Sequence, residues 1–242
     1  NNLWGAHLKI TPSALKVRKL LHSAGETFVK TDHISLRSVG YKETGIARLA
    51  TPFLQNGYEV KESYNFSNKD MEAVHLAPTN SLANQVDNLP KIFISQLNMD
   101  SYPFWFQESF LSCLGEFKNH SDHNLAMWGA PWEKSYEHYQ KISDLSEYAG
   151  WFYTHGFIPN HFTVDVNSLA RFNNIYQLNK FISQNGIELH KDGGLVKSDS
   201  DKQLLQSSTK SDVVDVPFFD AKLGLKNIQV PGGFNEFAQR KT

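Results

Sequence analysis

The sequence predicts an α+β fold in which one mixed β-sheet curves, in the manner of a barrel, around a shared cavity. Two stretches that each contain a histidine alternate between polar and apolar residues, which indicates strands with one polar face. Each of these strands precedes a helical pattern and several further strands, which suggests two topologically similar halves. Between them lies an aromatic-rich segment with helical spacing. We therefore expect a single domain spanning residues 1–242, with halves at about 26–100 and 151–242 and a helical insert at about 101–150.

The first half begins with an amphipathic helix. After a Thr-Pro-Ser start that can cap a helix, Thr11–Gly25 carries apolar residues at near-helical spacing. Phe28–Val39 then changes to a two-residue alternation, which places His33 and Arg37 on one polar face. Ile46–Asn56 is predicted to be a second helix. Three predicted strands complete the half: Tyr58–Phe66, Ala73–Leu76 and Lys91–Leu97.

The helical insert is followed by a return of the first pattern. From Tyr102 to Tyr148, aromatic and aliphatic residues recur at helical spacing. A second alternation runs from His155 to Val166 with His161 on its polar face, and Leu169–Asn185 is predicted to be a helix. The matching topology then places His33 and His161 opposite each other across the cavity. The remaining strand candidates are Ile187–Leu189, Gly194–Val196, Ser211–Phe219 and Phe234–Phe237.

The composition excludes several classes of protein. Lys plus Arg total 24 against 25 for Asp plus Glu, so no global positive field favours a nucleic acid. The apolar runs are short, and the N-terminus lacks the residue order typical of a secretory signal. We expect a cytoplasmic protein with no nucleic-acid or membrane partner, and the sequence indicates no particular oligomeric state. The single cysteine, Cys113, excludes an intramolecular disulfide and a thiolate cluster, so any metal must be bound by His, Asp or Glu.

His33 and Arg37 are the first candidate site residues. They lie four residues apart on one predicted strand, so their side chains leave the same face about 13 Å apart. An imidazole could bind a metal while the guanidinium binds a carboxylate at the other end of one small ligand. The alternative, a histidine and an arginine on a solvated face, stays open on spacing alone. The other eight histidines are expected to have surface or structural roles: His7, His22, His75, His120, His123, His138, His155 and His190.

His161 and Glu236 complete the candidate site. Burial of the apolar face that contains Phe162 directs His161 toward the opposite face. Glu236 lies between aromatic residues, where its charge needs a cation, and either an ion pair with Arg240 or a metal would provide one. Two imidazoles and one carboxylate form a ligand set suited to iron(II) oxygenases. The same set serves zinc hydrolases, and ligand identity does not separate the two.

Five segments resemble those of one protein family, occur in the same order and cover nearly the whole chain. They are Thr31–Arg37, Lys91–Leu97, Pro159–Val164, Leu205–Thr209 and Phe234–Arg240. The combination of Asp-His-Ile-x-Leu-Arg, Asn-His-Phe-Thr-Val, Gln-Ser-Ser-Thr and a late Glu-Phe-Ala-x-Arg is specific. On these residues the chain resembles the 2-oxoadipate dioxygenase/decarboxylase family, also called DUF1338.

The resemblance implies a fold related to the vicinal-oxygen-chelate enzymes, with the sheet curved around a metal cavity. It implies one catalytic domain that binds Fe(II) and uses dioxygen to convert a small 2-oxo acid, 2-oxoadipate, to 2-hydroxyglutarate and carbon dioxide in lysine breakdown. His33, His161 and Glu236 match the metal ligands, and Arg37 matches a catalytic arginine that binds the substrate's carboxylate. Gln206–Thr209 could line the cavity but stays outside the catalytic set. Longer family members draw further substrate contacts from a later region, so the resemblance supports the metal site more directly than the choice of substrate.

Two alternative functions remain at this point. A zinc- or manganese-dependent hydrolase or lyase could use the same ligands, and metal analysis with an oxygen-consumption assay would separate it from an iron oxygenase. A non-catalytic small-molecule-binding protein could have retained the cavity without turnover. The presence of all three ligands together with Arg37 favours an enzyme.

Overall fold

The computed structural model describes residues 2–41, 44–115, 122–199, 203–220 and 224–241. The strands are β1 (Thr31–Val39), β2 (Tyr58–Phe66), β3 (Met71–Pro78), β4 (Lys91–Leu97), β5 (Pro159–Asp165), β6 (Lys197–Ser198), β7 (Leu204–Ser208), β8 (Val213–Asp220), β9 (Gly224–Pro231) and β10 (Phe234–Arg240). The helices are α1 (Leu3–Leu8), α2 (Ser13–Ser23), α3 (Ile46–Gln55), α4 (Asn80–Ala83), α5 (Phe104–Leu114), α6 (Tyr136–Leu145), α7 (Glu147–His155) and α8 (Ile175–Gln184). His120 and the side chain of His123 lie outside the described residues.

The central feature is an eight-stranded mixed sheet, curled into a half-barrel, with the strand order β2-β3-β4-β1-β5-β10-β7-β6. Its two halves meet at the antiparallel pair β1 and β5. In the first half β1 is parallel to β4, and antiparallel β3 and β2 follow. In the second half β5 is parallel to β10, and antiparallel β7 and β6 follow. The sheet repeats one four-strand arrangement about its centre, which confirms the predicted α+β fold and the matching of the two halves.

Apolar residues on one face of the central strands form the core. Ile34 and Leu36 of β1 are buried, and they belong to the same cluster as Ile94 of β4 and aromatic residues of the helical insert. A second cluster joins α2 and α8 to β5 and β10. Because alternate residues of a strand point to opposite faces, burial of Ile34 and Leu36 turns His33 and Arg37 toward the concave side of the sheet. In the described ranges, no helix is long and apolar enough to cross a bilayer.

The helical insert is longer than the sequence predicts. The alternation predicted to begin at His155 is wrong at its start, because His155 is the last residue of α7 and the strand begins only at Pro159. Ala149–His155 is buried throughout, so α7 has no polar face and its sequence shows no clear helical period. Gly156, with φ of 63°, ends the helix and turns the chain back toward the sheet.

Further differences concern the second half, where the strand β7 was not predicted. The predicted strands at Ile187–Leu189 and Gly194–Val196 do not form, apart from a single bridge at Leu189, and the short strand β6 begins at Lys197 instead. β9 was not predicted. It pairs with β8 in a separate two-stranded sheet, and most of its residues are exposed, so it lacks the apolar face that reveals a strand in sequence.

Candidate metal centre

His33, His161 and Glu236 come together on the concave face of the sheet, where they offer three ligand atoms that lie within 4.8 Å of one another. They belong to β1, β5 and β10, which are neighbours at the centre of the sheet. Oε2 of Glu236 lies 3.2 Å from Nε2 of His33 and 3.7 Å from Nε2 of His161. The two imidazole rings face each other with centroids 5.7 Å apart, as the matching of the halves predicts. The predicted convergence is therefore present, while the role of these residues as ligands stays a prediction.

Each histidine is oriented by the residue that precedes it. Nδ1–H of His33 donates to Oδ1 of Asp32 at 2.8 Å, and Nδ1–H of His161 donates to Oδ1 of Asn160 at 2.9 Å. In a regular strand, adjacent side chains point to opposite faces and could not meet in this way. The pairing of β1 with β5 shifts register between Thr31 and His33 and again opposite Asn160, so Asp32 and Asn160 are each an extra residue in their strand.

These outer hydrogen bonds fix which imidazole nitrogen is available. With Nδ1 engaged, the Nε2 atoms of His33 and His161 both face Glu236. A histidine that binds a metal through one nitrogen usually donates from the other to a carboxylate or amide oxygen. The arrangement of Asp32 and Asn160 therefore fits a pair of metal-binding histidines.

Arg240 pairs with Asp32 and not with Glu236. Its Nε and Nη2 atoms donate to the two carboxylate oxygens of Asp32, each at 2.9 Å, which is a bidentate pair. Glu236 instead accepts hydrogen bonds at Oε2 from the hydroxyl of Thr163 at 2.8 Å and from the amide of Gln206 at 3.0 Å. The ion pair considered from sequence as the alternative partner of Glu236 is thus made with a different carboxylate.

Burial and charge together make the cluster suited to a cation. Burial opposes the charged form of His33, but hydrogen bonds to Asp32 and Glu236 outweigh it and raise the pKa to about 9. Burial lowers the pKa of His161 to about 3, so this ring is a neutral nitrogen donor. Burial alone would raise the pKa of Glu236, but the two histidines and the hydroxyl of Thr163 lower it to about 2. His33 is therefore charged at neutral pH when no metal is bound, and a divalent cation bound beside the ionised carboxylate would replace the proton on its Nε2 atom.

Asp165, the other carboxylate on the β5 strand, is not part of this cluster. Its Oδ2 atom lies 3.6 Å from Nζ of Lys30. Its Oδ1 atom accepts a hydrogen bond from the backbone N–H of Asn167 in the turn after β5. Asp165 therefore has a structural role at the end of the strand.

Two cavities meet at the cluster. The first, which we call the arginine cavity, has a volume of about 380 Å³ and is lined by Arg37, Trp151, Gln206, Phe234 and Glu236, among others. The second, the lysine cavity, has a volume of about 800 Å³, and its walls include Lys91, His75, His33, His161, Gln206 and Glu236. Gln206 and Glu236 belong to both cavities. The candidate ligands are therefore accessible from two sides.

Arg37 lies in the arginine cavity between two aromatic rings. Its guanidinium carbon is 4.7 Å from the ring centroid of Tyr148 and 4.8 Å from that of Trp151. Tyr148 is held in turn, because its hydroxyl donates to the backbone oxygen of Ser95 at 2.9 Å. Burial lowers the pKa of Arg37, and no carboxylate among the described residues forms an ion pair with it. Glu147 lines the same cavity and is near enough to favour the charged form of Arg37, but it makes no ion pair with it. The guanidinium is therefore available to an anionic ligand.

Several residues around the site were not found from sequence. Tyr148 and Trp151 belonged to the aromatic-rich insert, but their contact with Arg37 joins residues more than a hundred positions apart. Asp32 and Asn160 precede the two histidines, so the repeated pattern of a polar residue before a histidine was the available signal. Gln206, left outside the catalytic set, contacts Glu236. Of the histidines assigned structural roles, His75 and His190 line the lysine cavity and the arginine cavity, respectively.

The outer hydrogen bond of His33 gives a direct prediction. Asp32→Asn is expected to raise the dissociation constant for a divalent metal by about 10- to 100-fold, because the amide retains the shape but makes His33 a weaker donor and loses the pair with Arg240. Isothermal titration calorimetry on the metal-free protein measures the change. Asp165→Asn is the control, since it removes a similar charge outside the cluster. Equal effects of the two variants would show that Asp32 acts only through overall charge.

The fold indicates the structural class to which the protein belongs. A curled sheet made of two matching halves, with a candidate metal cluster on its concave face, has the fold of the glyoxalase or vicinal-oxygen-chelate superfamily. The chain is similar to a protein from Ralstonia eutropha described as a member of the glyoxalase superfamily, with a TM-score of 0.78 and 18% identity. That similarity covers 99% of this chain and 80% of the other.

Sequence comparison then identifies the family. Residues 14–112 and 114–242 match the model of the 2-oxoadipate dioxygenase/decarboxylase family, and the chain belongs to that family. It is 31% identical to the chloroplastic 2-oxoadipate dioxygenase/decarboxylase of Arabidopsis thaliana over 244 residues, which are 97% of this chain and 65% of the relative. The chain thus spans just under two thirds of that relative's length. The hydroxyglutarate synthase of Oryza sativa, solved in complex with 2-oxoadipate, has 28% identity and a TM-score of 0.84 over 98% of this chain and 78% of the other.

Proposed function

We propose that this protein is an iron(II)-dependent dioxygenase and decarboxylase of a small 2-oxo acid, with 2-oxoadipate as its substrate. One molecule each of 2-oxoadipate and dioxygen would give one molecule each of 2-hydroxyglutarate and carbon dioxide, which balances all atoms. The observation that carries the proposal is the cluster of His33, His161 and Glu236 together with Arg37, whose guanidinium forms no ion pair with any carboxylate that the structure describes. Membership of the family and the complex of the rice relative with 2-oxoadipate support the choice of substrate.

Nε2 of His33, Nε2 of His161 and a carboxylate oxygen of Glu236 would hold the iron. A set of three protein ligands would leave room for the substrate and dioxygen, and iron(II) bound there would supply the redox chemistry that activates dioxygen. Thr163 and Gln206 both donate to Oε2 of Glu236, so they hold the carboxylate in one orientation. Asp32 and Asn160 do the same for the two imidazole rings.

Arg37 would bind the carboxylate of the substrate that is remote from the 2-oxo group. It lies on the face of His33 but four residues further along β1, so it reaches the far end of a short dicarboxylic acid without crowding the ligand cluster. The rings of Tyr148 and Trp151 fix the guanidinium from two sides and exclude water from it. Exclusion of water strengthens the ion pair between Arg37 and a carboxylate.

Oxygen uptake tests the proposal against a zinc- or manganese-dependent hydrolase or lyase and against a binding protein without turnover. The metal-free protein is loaded in parallel with Fe(II), Zn(II) or Mn(II) and assayed in an oxygen electrode with a panel of 2-oxo acids. We expect uptake only with Fe(II), fastest with 2-oxoadipate, and one carbon dioxide released for each dioxygen consumed. Turnover of 2-oxoadipate without oxygen uptake, or no turnover with any metal, would contradict the proposal.

A further inference from the structure

The lysine cavity contains a cation that the proposed reaction has not used. Lys91 begins β4, and its Cα is the register partner of the Cα of His33 on the parallel strand β1. Register partners on neighbouring strands point to the same face of a sheet, so the side chain of Lys91 leaves the concave face beside His33. It lines the same cavity as His33, His161 and Glu236.

Among the described residues, no carboxylate forms an ion pair with the ammonium group of Lys91. Asp32 and Asp165 are near enough to favour its charged form, but Asp32 is paired with Arg240 and Asp165 with Lys30. Lys91 is partly buried, and within the part of the chain that the structure describes it forms neither an ion pair within 4.0 Å nor a hydrogen bond. Burial and the nearby charge of Arg240 lower its pKa. Burial of an ammonium group without an ion pair costs free energy, and a bound anion would offset that cost.

The acidic groups in the same cavity are engaged elsewhere. Glu62 accepts a hydrogen bond from the hydroxyl of Tyr64 at 2.7 Å, and Asp199 accepts from the backbone N–H groups of Gln203 and Leu204. Glu236 lies within the candidate metal cluster. Arg240, another cation that lines this cavity, is already paired with Asp32. Lys91 is therefore the cation in this wall that is placed to bind an incoming anion.

Lys91 and Arg37 line the two different cavities that share Gln206 and Glu236. The register partner of Arg37 on β4 is Ser95, so Lys91 and Arg37 are separated by four residues along the sheet, about 13 Å between backbones. Lysine and arginine side chains are long enough to lean toward each other and leave room between their heads for a short dicarboxylic acid. Lys91 lies at the level of His33, where the 2-oxo end of the substrate would bind, and Arg37 lies at the far end.

We propose that Lys91 is a second carboxylate-binding residue, which contacts the carboxylate adjacent to the 2-oxo group while Arg37 contacts the distal one. The identity of the ligand rests on the proposed function, but the site itself consists only of residues of this chain. A pair of cations at fixed separation selects acids that carry a charge at each end. Lys91 would also hold the departing carboxylate group next to the ligand cluster.

Three six-carbon acids separate the two subsites. 2-Oxoadipate carries both carboxylates, 2-oxohexanoate lacks the distal one, and 5-oxohexanoate lacks the one adjacent to the oxo group. Dissociation constants are measured by NMR titration on the chelator-treated protein, so that binding needs neither metal nor turnover. Lys91→Met removes the charge and keeps the length of the side chain, and Lys91→Gln is a second neutral variant. Lys91→Arg retains the charge.

We expect Lys91→Met to raise the dissociation constants of 2-oxoadipate and 2-oxohexanoate by about tenfold and to leave that of 5-oxohexanoate unchanged. Lys91→Arg should restore most of the affinity. Arg37→Met should give the opposite pattern, weakening 2-oxoadipate and 5-oxohexanoate but not 2-oxohexanoate. Lys241→Met is the matched control, since Lys241 is exposed and lines the same cavity, and it should change none of the three.

Four results would overturn the proposal. The first is that 2-oxoadipate does not bind measurably to the metal-free wild type, and the second is that neither neutral variant of Lys91 changes any dissociation constant. The third is that Lys91→Met weakens the binding of all three acids equally, and the fourth is that Lys241→Met weakens binding as much as Lys91→Met does. An equal effect of Lys241→Met would indicate a diffuse field rather than a subsite. The outcome is distinguishable from that of the proposed function, because a chain that shows the expected binding pattern but no oxygen uptake would contradict the chemistry and keep the subsite.

Discussion

Glu236→Gln is expected to leave the fold intact and to raise the dissociation constant for the metal more than about 100-fold. This effect is larger than the one expected from losing a residue that only hydrogen-bonds to a metal ligand. The amide is nearly isosteric, and Thr163 and Gln206 can still donate to its oxygen. The substitution nevertheless removes the negative charge that would balance a divalent cation bound by the two histidines. Iron content after dialysis and the dissociation constant from calorimetry are the measurements, and oxygen uptake should fall in proportion to bound iron.

Glu188→Gln is the control for this substitution. Glu188 is exposed and pairs with Lys210 at 2.7 Å, so its replacement changes the net charge by the same amount away from the cluster. We expect normal iron binding in that variant. Full iron stoichiometry and full turnover in Glu236→Gln would show that Glu236 is not the carboxylate ligand.

Replacing Arg37 is expected to abolish recognition of dicarboxylic substrates and to leave metal binding unchanged. Loss of one partner from a buried charge pair costs about 2–5 kcal/mol, which corresponds to about a 30- to 5,000-fold fall in kcat/KM for 2-oxoadipate. Arg37→Lys should be nearly as impaired as Arg37→Ala, because an ammonium lacks the planar fork and cannot stack in the same way between Tyr148 and Trp151. The measurement compares kcat/KM for 2-oxoadipate with that for 2-oxohexanoate.

The pattern of losses separates three roles for Arg37. If only 2-oxoadipate is affected, Arg37 binds the distal carboxylate. If both substrates lose activity equally, Arg37 acts at the metal-binding end or supports the fold, and thermal unfolding of the variants distinguishes those two. If neither substrate is affected, Arg37 does not belong to the site. Iron content serves as the internal control in each case.

The candidate ligands could be found from sequence because polar and apolar residues alternate along their strands from each histidine onward. Alternation of polar and apolar residues fixes which face His33 and His161 occupy, and the repeated order of elements places the two strands side by side. Glu236 was harder, since a carboxylate between aromatic residues fits an ion pair as well as a metal. The resemblance to a family decided between those alternatives, and the structure shows that Arg240 pairs with Asp32 instead.

What the sequence did not predict depends on irregular or long-range geometry. Asp32 should point away from His33 in a regular strand, and only the register shift between β1 and β5 brings the two together. The rings of Tyr148 and Trp151 reach Arg37 through the packing of α7 on the sheet, which no local pattern encodes. The helix α7, buried from Ala149 to His155, and the largely exposed strand β9 lack the two-faced periodicity by which such elements are recognised.

The central claim is that His33, His161 and Glu236 bind one iron ion. Anomalous diffraction at the iron absorption edge, from crystals grown anaerobically with Fe(II), tests it most directly. We expect a single strong peak in contact with Nε2 of both histidines and with a carboxylate oxygen of Glu236. A peak bound elsewhere, for example at Glu62 and His75 in the lysine cavity, or no peak from crystals of protein saturated with Fe(II), would contradict the claim.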